Sequence, residues 1–198
     1  MLRGMTKAEL PHVIQEVGFE PLDPVRERAA LSTWLARHEW PFHVNRRLTR
    51  ERIAALLDEG QFDTPDSLLL WIWAGGERAG LLHVPDLDDL PASAPRFDLR
   101  IAPTWRGRGV GTAATRKITE ELFSAYDQLK RIEAVTRIDN VAMRTVLKRC
   151  GYVMEGYLRR TWPDDKGLEH DGALYSILRS DWREGVVTPV PNNFDLKN

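Results

Sequence analysis

Apolar and polar residues recur along this chain with two different periods, which predicts a mixture of helices and strands. Residues 19–22 read as a short edge strand, where a proline is tolerated. Asp23 is expected to cap a first helix with Pro24 at its first position. Thr49 is expected to cap a second helix, which ends before Gly60. The chain therefore begins with one strand followed by two helices.

Strand patterns dominate the middle of the chain. Residues 68–73 are continuously apolar, which predicts a strand buried on both faces. The pair Gly75-Gly76 turns the chain, and residues 79–84 return as the hairpin partner. Residues 86–95 are acidic and rich in proline, as is typical of a surface loop. A further strand is expected over residues 97–102.

The last part of the chain alternates between helices and strands. Apolar residues at helical spacing over residues 114–125 predict a third helix. Either Asp139 or Asn140 is expected to cap a fourth helix, which Gly151 ends. The remaining strands are expected over residues 131–136, 152–161 and 173–178. This order of elements predicts a single mixed α/β domain.

Composition narrows the class of protein. The 198 residues are 42% hydrophobic and 29% charged, which is typical of a soluble globular domain. The net charge of −1 provides no basic field for nucleic acid, and the longest apolar run, residues 68–76, is too short to cross a bilayer. The single cysteine, Cys150, excludes an intrachain disulfide, and residues 1–10 lack the apolar core of a signal peptide. We therefore expect a cytoplasmic protein with no membrane or nucleic-acid partner.

The strongest candidate for a ligand-binding loop is the segment Arg106-Gly107-Arg108-Gly109-Val110-Gly111-Thr112. Its glycines let backbone N–H groups approach a ligand closely, and the helix that follows adds a partial positive charge. Both properties favour a bound phosphate. The nucleotide P-loop pattern is excluded because no lysine follows the glycines until Lys117.

A dinucleotide-binding loop is a second interpretation of the same glycines. Residues 109–114 match Gly-x-Gly-x-x-Ala, and Glu133 follows at about 20 residues. That fingerprint begins where a strand ends, whereas residues 103–106 intervene here. The acidic residue also falls near the start of its strand rather than at the end. A nicotinamide-dependent oxidoreductase is therefore a distant alternative.

A third interpretation fits every position. Residues 106–111 resemble the coenzyme A loop of the GNAT acetyltransferase superfamily, whose signature is Gln/Arg-x-x-Gly-x-Gly/Ala. Asn140 and the pair Gly151-Tyr152 match the superfamily's spacing between a helix-start asparagine and Gly-Phe/Tyr. Residues 155–159, Glu-Gly-Tyr-Leu-Arg, resemble the ribosomal-protein N-terminal acetyltransferase (RimJ/RimL-like) branch. The resemblance covers residues 18–182.

The resemblance implies a fold, an activity and a domain division. The fold is a mixed, mostly antiparallel sheet of about seven strands with about four helices, split between the fourth and fifth strands. The activity is acetyl transfer from acetyl-CoA to the primary amine of a peptide or small molecule. Residues 18–182 form the domain, residues 1–17 a lead-in and residues 183–198 a loosely held tail. Many members of the superfamily dimerise, so the resemblance allows a homodimer.

The resemblance also assigns the residues that hold coenzyme A. Backbone groups near Leu99, Arg100 and Ile101 pair with the pantetheine arm, and Asn140 binds it from the opposite wall. The pyrophosphate lies on backbone N–H groups and two guanidinium groups of one continuous segment. That segment consists of Arg106, Gly107, Arg108, Gly109, Val110, Gly111 and Thr112. No metal site is predicted.

The catalytic residues follow less directly. The two positions that supply an acid in the superfamily, seven and three residues after Asn140, hold Leu147 and Met143. A catalytically weak coenzyme A-binding protein with a sensing or partner-binding role is therefore the alternative to an enzyme. Asp98 is the first candidate base, on the expectation that a half-buried cleft raises its pKa, and His43 is the second.

Asp98 also has a structural interpretation, as the partner of an ion pair with Arg96 or Arg100. The acceptor pocket is expected to be lined by aromatic residues, while acidic loops at residues 86–89 and 164–165 are candidates for attracting a cationic acceptor. The aromatic candidates are Trp40, Phe42, Trp105, Tyr157 and Trp162.

Overall fold

The computed structural model of this chain describes residues 14, 16–62, 66–87, 90 and 94–191. Within them the strands are β1 (Gly18–Pro21), β2 (Leu68–Ala74), β3 (Glu77–Val84), β4 (Asp98–Ile101), β5 (Arg131–Arg137), β6 (Val153–Pro163) and β7 (Glu169–Leu178). The helices are α1 (Arg28–Arg37), α2 (Arg50–Asp58), α3 (Val110–Ala125), α4 (Val141–Arg149) and α5 (Arg179–Glu184). The predicted strands and the first four helices are confirmed, and the short helix α5 is additional.

The strands form two antiparallel sheets, in the orders β1-β2-β3-β4 and β5-β7-β6. Between β4 and β5 the described residues contain a single isolated parallel bridge, from Arg96 to Glu133. The Glu133 amide also donates to the Pro95 carbonyl at 3.0 Å. Beyond this point the two strands belong to separate sheets, so the second edge of β4 is left without a partner strand among the described residues. The predicted split between the fourth and fifth strands is thereby confirmed.

The side chains of strand β2 contribute to two separate clusters of buried residues. Its residues Leu70 and Ile72 belong to one cluster of buried side chains, which includes the apolar face of α3. The alternate residues Leu69 and Trp71 belong to a second cluster with α1 and α2. Because successive side chains of a strand point to opposite faces, the continuous apolar run places helices on both sides of the sheet.

The helix starts follow the predicted capping residues with one exception. Thr49 accepts from the Arg52 amide at 3.2 Å, and Asn140 accepts from the Met143 amide at 3.2 Å. Asp23 accepts from two backbone amides, but these belong to a turn over residues 24–27, and α1 begins at Arg28. The side chain of Asp23 therefore organises the approach to the helix rather than its first turn.

The segment after residue 182 has hydrogen bonds of its own where the structure describes it. Helix α5 extends to Glu184, and the buried Asp181 carboxylate accepts from the backbone amide of Thr188 at 2.9 Å and from its hydroxyl at 2.8 Å. Residues 183–188 are exposed but are held by these bonds and by one from the Val186 amide to the Asp181 carbonyl, and the division of the chain into lead-in, domain and tail stays a prediction. Residues 192–198 lie outside the described residues, as does most of the lead-in.

Candidate active site

A cavity of about 800 Å³ opens where β4 and β5 diverge. Its walls come from β4, β5, the start of α3, the exposed face of α4 and the segment between α1 and α2. It collects most of the residues that the sequence singled out. Those lining it are His43, Asp98, Leu99, Arg100, Ile101, Arg106, Gly107, Gly109, Gly111, Thr112 and Asn140.

The glycine loop has the backbone geometry of an anion site. Gly107 has φ of +74° and Gly109 has φ of +87°, a region that glycine adopts without the strain imposed on other residues. Gly109 is also the N-cap of the 16-residue helix α3, and no side chain caps that helix. The amides of its first turn are therefore available to a ligand, together with the positive end of the helix dipole.

The side chains of three loop residues have contacts of their own within the fold. Arg106 donates from Nε to the Ile101 carbonyl and from Nη2 to the Glu39 carbonyl, both at 2.9 Å. Its guanidinium therefore ties the loop to the segment after α1 as well as carrying a charge. Arg108 lies over the Trp105 ring at 5.3 Å, and neither Arg108 nor the fully buried Val110 lines the cavity.

The opposite wall of the cavity is formed by α4. Asn140 caps this helix, and its amide group also donates to the Thr136 hydroxyl at 3.0 Å. Arg149, in the last turn of α4, lines the same cavity as the glycine loop. Sequence reasoning missed this cation, although its spacing of three residues from Val146 places both on one helical face.

The two candidate bases contact each other. His43 Nε2 and Asp98 Oδ1 lie 2.8 Å apart, and Asp98 Oδ2 accepts from Arg100 Nε at 3.0 Å. His43 Nδ1 is buried and has no hydrogen-bond partner among the described residues. With a proton on Nε2 donated to Asp98, Nδ1 retains its lone pair.

The expectation of a raised pKa for Asp98 is wrong. Burial raises the pKa of this carboxyl, but the charges of Arg100 and His43 and the hydrogen bonds from both outweigh it, so the pKa lies well below its ordinary value. The lowered pKa favours the ionised form of Asp98. The ion pair with Arg100 that its structural interpretation required is present, and it coexists with the contact to His43.

The described residues that line the cavity do not include a side chain of the kind that usually protonates the leaving thiolate. Leu147 is fully buried in the core, and Met143 lines the cavity without a proton to give. Among the described lining residues there is no tyrosine, cysteine or serine. Burial raises the pKa of the Cys150 thiol to about 11, and burial also raises the pKa of Tyr152. Neither of these two residues lines the cavity.

The aromatic prediction is met by four residues of the five. Trp40, Phe42, Trp105 and Trp162 line the cavity, whereas Tyr157 is an exposed residue of β6 that bonds Asp171. The described residues contain no cluster of three metal-ligating side chains. Within the same residues, none of the helices combines the length and apolar character needed to cross a membrane.

Comparison with known proteins identifies the family. A family model described as an acetyltransferase (GNAT) domain matches residues 2–153. The chain therefore belongs to the GNAT acetyltransferase family. The match begins ahead of residue 18, and the described part of the lead-in agrees, because the Ile14 amide donates to the Arg108 carbonyl at 2.7 Å. No curated protein matches the chain.

Solved structures show the same fold. Mycobacterium smegmatis RimJ, in complex with CoA-disulfide, is 26% identical with a TM-score of 0.68, over 86% of this chain and 86% of that chain. A putative acetyltransferase from T. thermophilus is 23% identical with a TM-score of 0.68, over 87% and 91% of the two chains. Vibrio cholerae spermidine N-acetyltransferase, in complex with CoA and spermine, is 18% identical with a TM-score of 0.63, over 85% and 98%.

Proposed function

We propose that this protein transfers an acetyl group from acetyl-CoA to a primary amine, with His43 as the general base. The observation that carries the proposal is the hydrogen-bonded pair of His43 and Asp98 in the cavity that the glycine loop also lines. Family membership supports acyl transfer as the reaction class. The paired side chains support a catalytic rather than a purely binding role.

The cavity fits coenzyme A in three respects. The uncapped start of α3 offers amides to a pyrophosphate, and Arg149 and Arg106 add positive charge on that side. The unpaired edge of β4 offers backbone groups to the amides of the pantetheine arm. Gly107 and Gly109 keep that approach free of side chains. When bound, acetyl-CoA supplies an acetyl group activated as a thioester.

His43 acts on the proton of the acceptor amine. As the amine nitrogen forms its new bond to the acetyl carbon, its N–H bond breaks and the proton moves to His43 Nδ1. Asp98 holds the ring through Nε2 and stabilises the imidazolium that results. Nδ1 is buried in this structure, so the proposal requires that the acceptor gain access to it by movement of the ring or of its neighbours. The imidazolium then returns the proton to the leaving thiolate, a role that no lining tyrosine, serine or cysteine fills in the described residues.

The proposal is tested by amine-dependent release of coenzyme A thiol, measured with a chromogenic disulfide over a panel of primary amines. His43→Gln is expected to lower kcat/KM by about 10²–10⁴-fold, the usual contribution of a general base. The matched control is His38→Gln, because His38 packs on Trp34 and Trp40 nearby without lining the cavity. Equal activity in the two variants would refute the assignment of His43.

A coenzyme A-binding protein without turnover is the second candidate, favoured by the absence of a conventional acid among the described lining residues. Calorimetric titration with acetyl-CoA separates it from the enzyme. Binding without amine-dependent thiol release across the panel would support the second candidate. Absence of binding would overturn both, because each depends on coenzyme A at the glycine loop.

A further inference from the structure

The candidate base His43 belongs to a short closed loop, residues 39–47, which we call the His43 loop. Glu39 and Arg47 form an antiparallel bridge where the loop closes, and Nε of Arg47 donates to the Glu39 carboxylate at 2.8 Å. Inside the loop, the His43 amide donates to the Trp40 carbonyl at 3.0 Å. These bonds shape the loop, but none of them connects it to β4.

Arg106 connects the His43 loop to β4. Its guanidinium donates from Nε to the carbonyl of Ile101, the last residue of β4, at 2.9 Å. It also donates from Nη2 to the carbonyl of Glu39, where the loop closes, at 2.9 Å. Both acceptors are backbone groups, so the side chain links two segments of main chain. Because a guanidinium holds its N–H groups in a rigid plane, it also sets the distance between the two carbonyls.

A second point of the His43 loop is fixed by Trp40. Its side chain is 1% exposed, and its Nε1 donates to the Leu35 carbonyl at 3.1 Å. The ring of His43 packs against it edge to face, with the two ring centres 6.1 Å apart. One anchored ring leaves the loop free to turn about that point. The bond from Arg106 to Glu39, the residue before Trp40, opposes such a turn.

The pair of His43 and Asp98 requires support of this kind. The two side chains are 23% and 35% exposed, so neither is enclosed by packing. Among the described residues, the hydrogen bonds that connect the His43 loop with β4 are this pair and the bridge through Arg106. A general base acts only within hydrogen-bond reach of its proton, and a displacement of about 1 Å can cost about 100-fold in rate.

We propose that Arg106 is a positioning residue for His43. By bridging two backbone carbonyls, it fixes the His43 loop against β4 and keeps the imidazole on Asp98. Its guanidinium has five N–H donors, and those not used in the bridge are available to a phosphate oxygen, so the two roles are compatible. This inference rests on the proposed function and adds to the glycine loop a part in the proton transfer.

A double-mutant cycle tests the inference, with kcat measured by thiol release at saturating acetyl-CoA. Arg106→Lys keeps the positive charge, but a single ammonium group cannot reproduce the planar bridge. We expect it to lower kcat by about 10–100-fold, with the Kd for coenzyme A changed by less than about threefold. In His43→Gln the same change should lower kcat by less than about twofold, because the group that Arg106 positions is absent.

Arg149→Lys is the matched control. Arg149 lines the same cavity from α4, and in the described structure its side chain has no hydrogen bond to the His43 loop. Whatever factor this change costs should therefore be the same with and without His43. An equal loss for Arg106→Lys in the two backgrounds, or a loss confined to the KM for acetyl-CoA, would overturn the inference and leave acetyl transfer intact.

The inference and the proposed function fail in different ways. Absence of turnover with every amine overturns acetyl transfer, and NMR of the same proteins then reports on the His43 ring directly. The Nε2–H proton of His43, identified by its absence in His43→Gln, should be observed in wild type and in Arg149→Lys. In Arg106→Lys it should be lost through exchange with water. Its retention in Arg106→Lys, or its absence in wild type, would refute the positioning role.

Discussion

Replacing Gly107 by alanine separates the contribution of the glycine loop to folding from its contribution to ligand binding. Gly107 has φ of +74°, and a Cβ built on it meets nothing within 4 Å. Gly167, in the loop between β6 and β7, has φ of +76° and the same open surroundings, but it does not line the cavity. Gly107→Ala and Gly167→Ala therefore impose almost the same backbone strain at two sites of different function.

The expected magnitudes follow from this geometry. A left-handed conformation costs an ordinary residue about 1–2 kcal/mol, which corresponds to a fall in Tm of about 2–8 °C for a chain of this size. A domain of typical stability, about 5–15 kcal/mol, remains folded after that loss. A change in Kd for coenzyme A would therefore report on the site and not on global unfolding. In Gly107→Ala the new methyl group stands in the anion site, and loss of one hydrogen bond to a charged group weakens binding by roughly 10–150-fold.

Thermal unfolding and calorimetric titration with coenzyme A measure the two effects on the same samples. We expect similar falls in Tm for both variants and a weaker Kd for Gly107→Ala alone. An unchanged Kd for Gly107→Ala would refute the assignment of the loop as the phosphate site. A weakened Kd for Gly167→Ala would show that strain alone reaches the cavity and would invalidate the comparison.

Three further predictions concern the ionisable residues Asp98, Cys150 and Asp181. Because the pKa of Asp98 is lowered, wild type should be more stable than Asp98→Asn above about pH 4, near the ordinary value of 3.8. Urea denaturation should show that this difference in the free energy of unfolding falls as the pH drops below that value. A pH-independent difference would contradict the prediction. Burial raises the pKa of Cys150 from 9.0 to about 11, so its thiolate fraction at pH 8 is about 100-fold smaller than that of a free thiol. Alkylation at pH 8 should be slower by about the same factor, and equal rates would contradict this. Asp181→Ala should lower the free energy of unfolding by about 1–3 kcal/mol, because the buried carboxylate accepts from both the amide and the hydroxyl of Thr188. Thr188→Val removes only the hydroxyl bond and should lower it less; wild-type stability of Asp181→Ala in denaturant titration would contradict this.

The glycine loop and the helix caps were predictable because their causes are local. The positive φ of Gly107 and Gly109 and the capping bonds of Thr49 and Asn140 depend on a few consecutive residues, so their sequence patterns specify them. The burial of β2 on both faces followed in the same way from an uninterrupted apolar run. Motif and periodicity therefore sufficed for the fold and for one wall of the cavity.

The contact between His43 and Asp98 was not predictable because 55 residues separate the two side chains. Each was a plausible base by itself, but their pairing depends on how the segment after α1 folds back over β4. The lowered pKa of Asp98 is due first to the charge of Arg100, which is only two residues away, and then to His43, whose contact the sequence does not show. The contacts between Asp181 and Thr188 are only seven residues apart, but they follow no periodic pattern that the sequence displays.

Arg106 donates to two carbonyl groups on different walls of the cavity. The Ile101 carbonyl belongs to β4, and the Glu39 carbonyl lies beside the segment that carries His43. A ligand that draws on this guanidinium therefore perturbs both at once. Thermodynamic linkage then requires reciprocity: whatever factor the cofactor contributes to acceptor affinity, the acceptor contributes equally to cofactor affinity. Through a single side chain, the fold couples the edge strand of the cavity to the segment that carries His43.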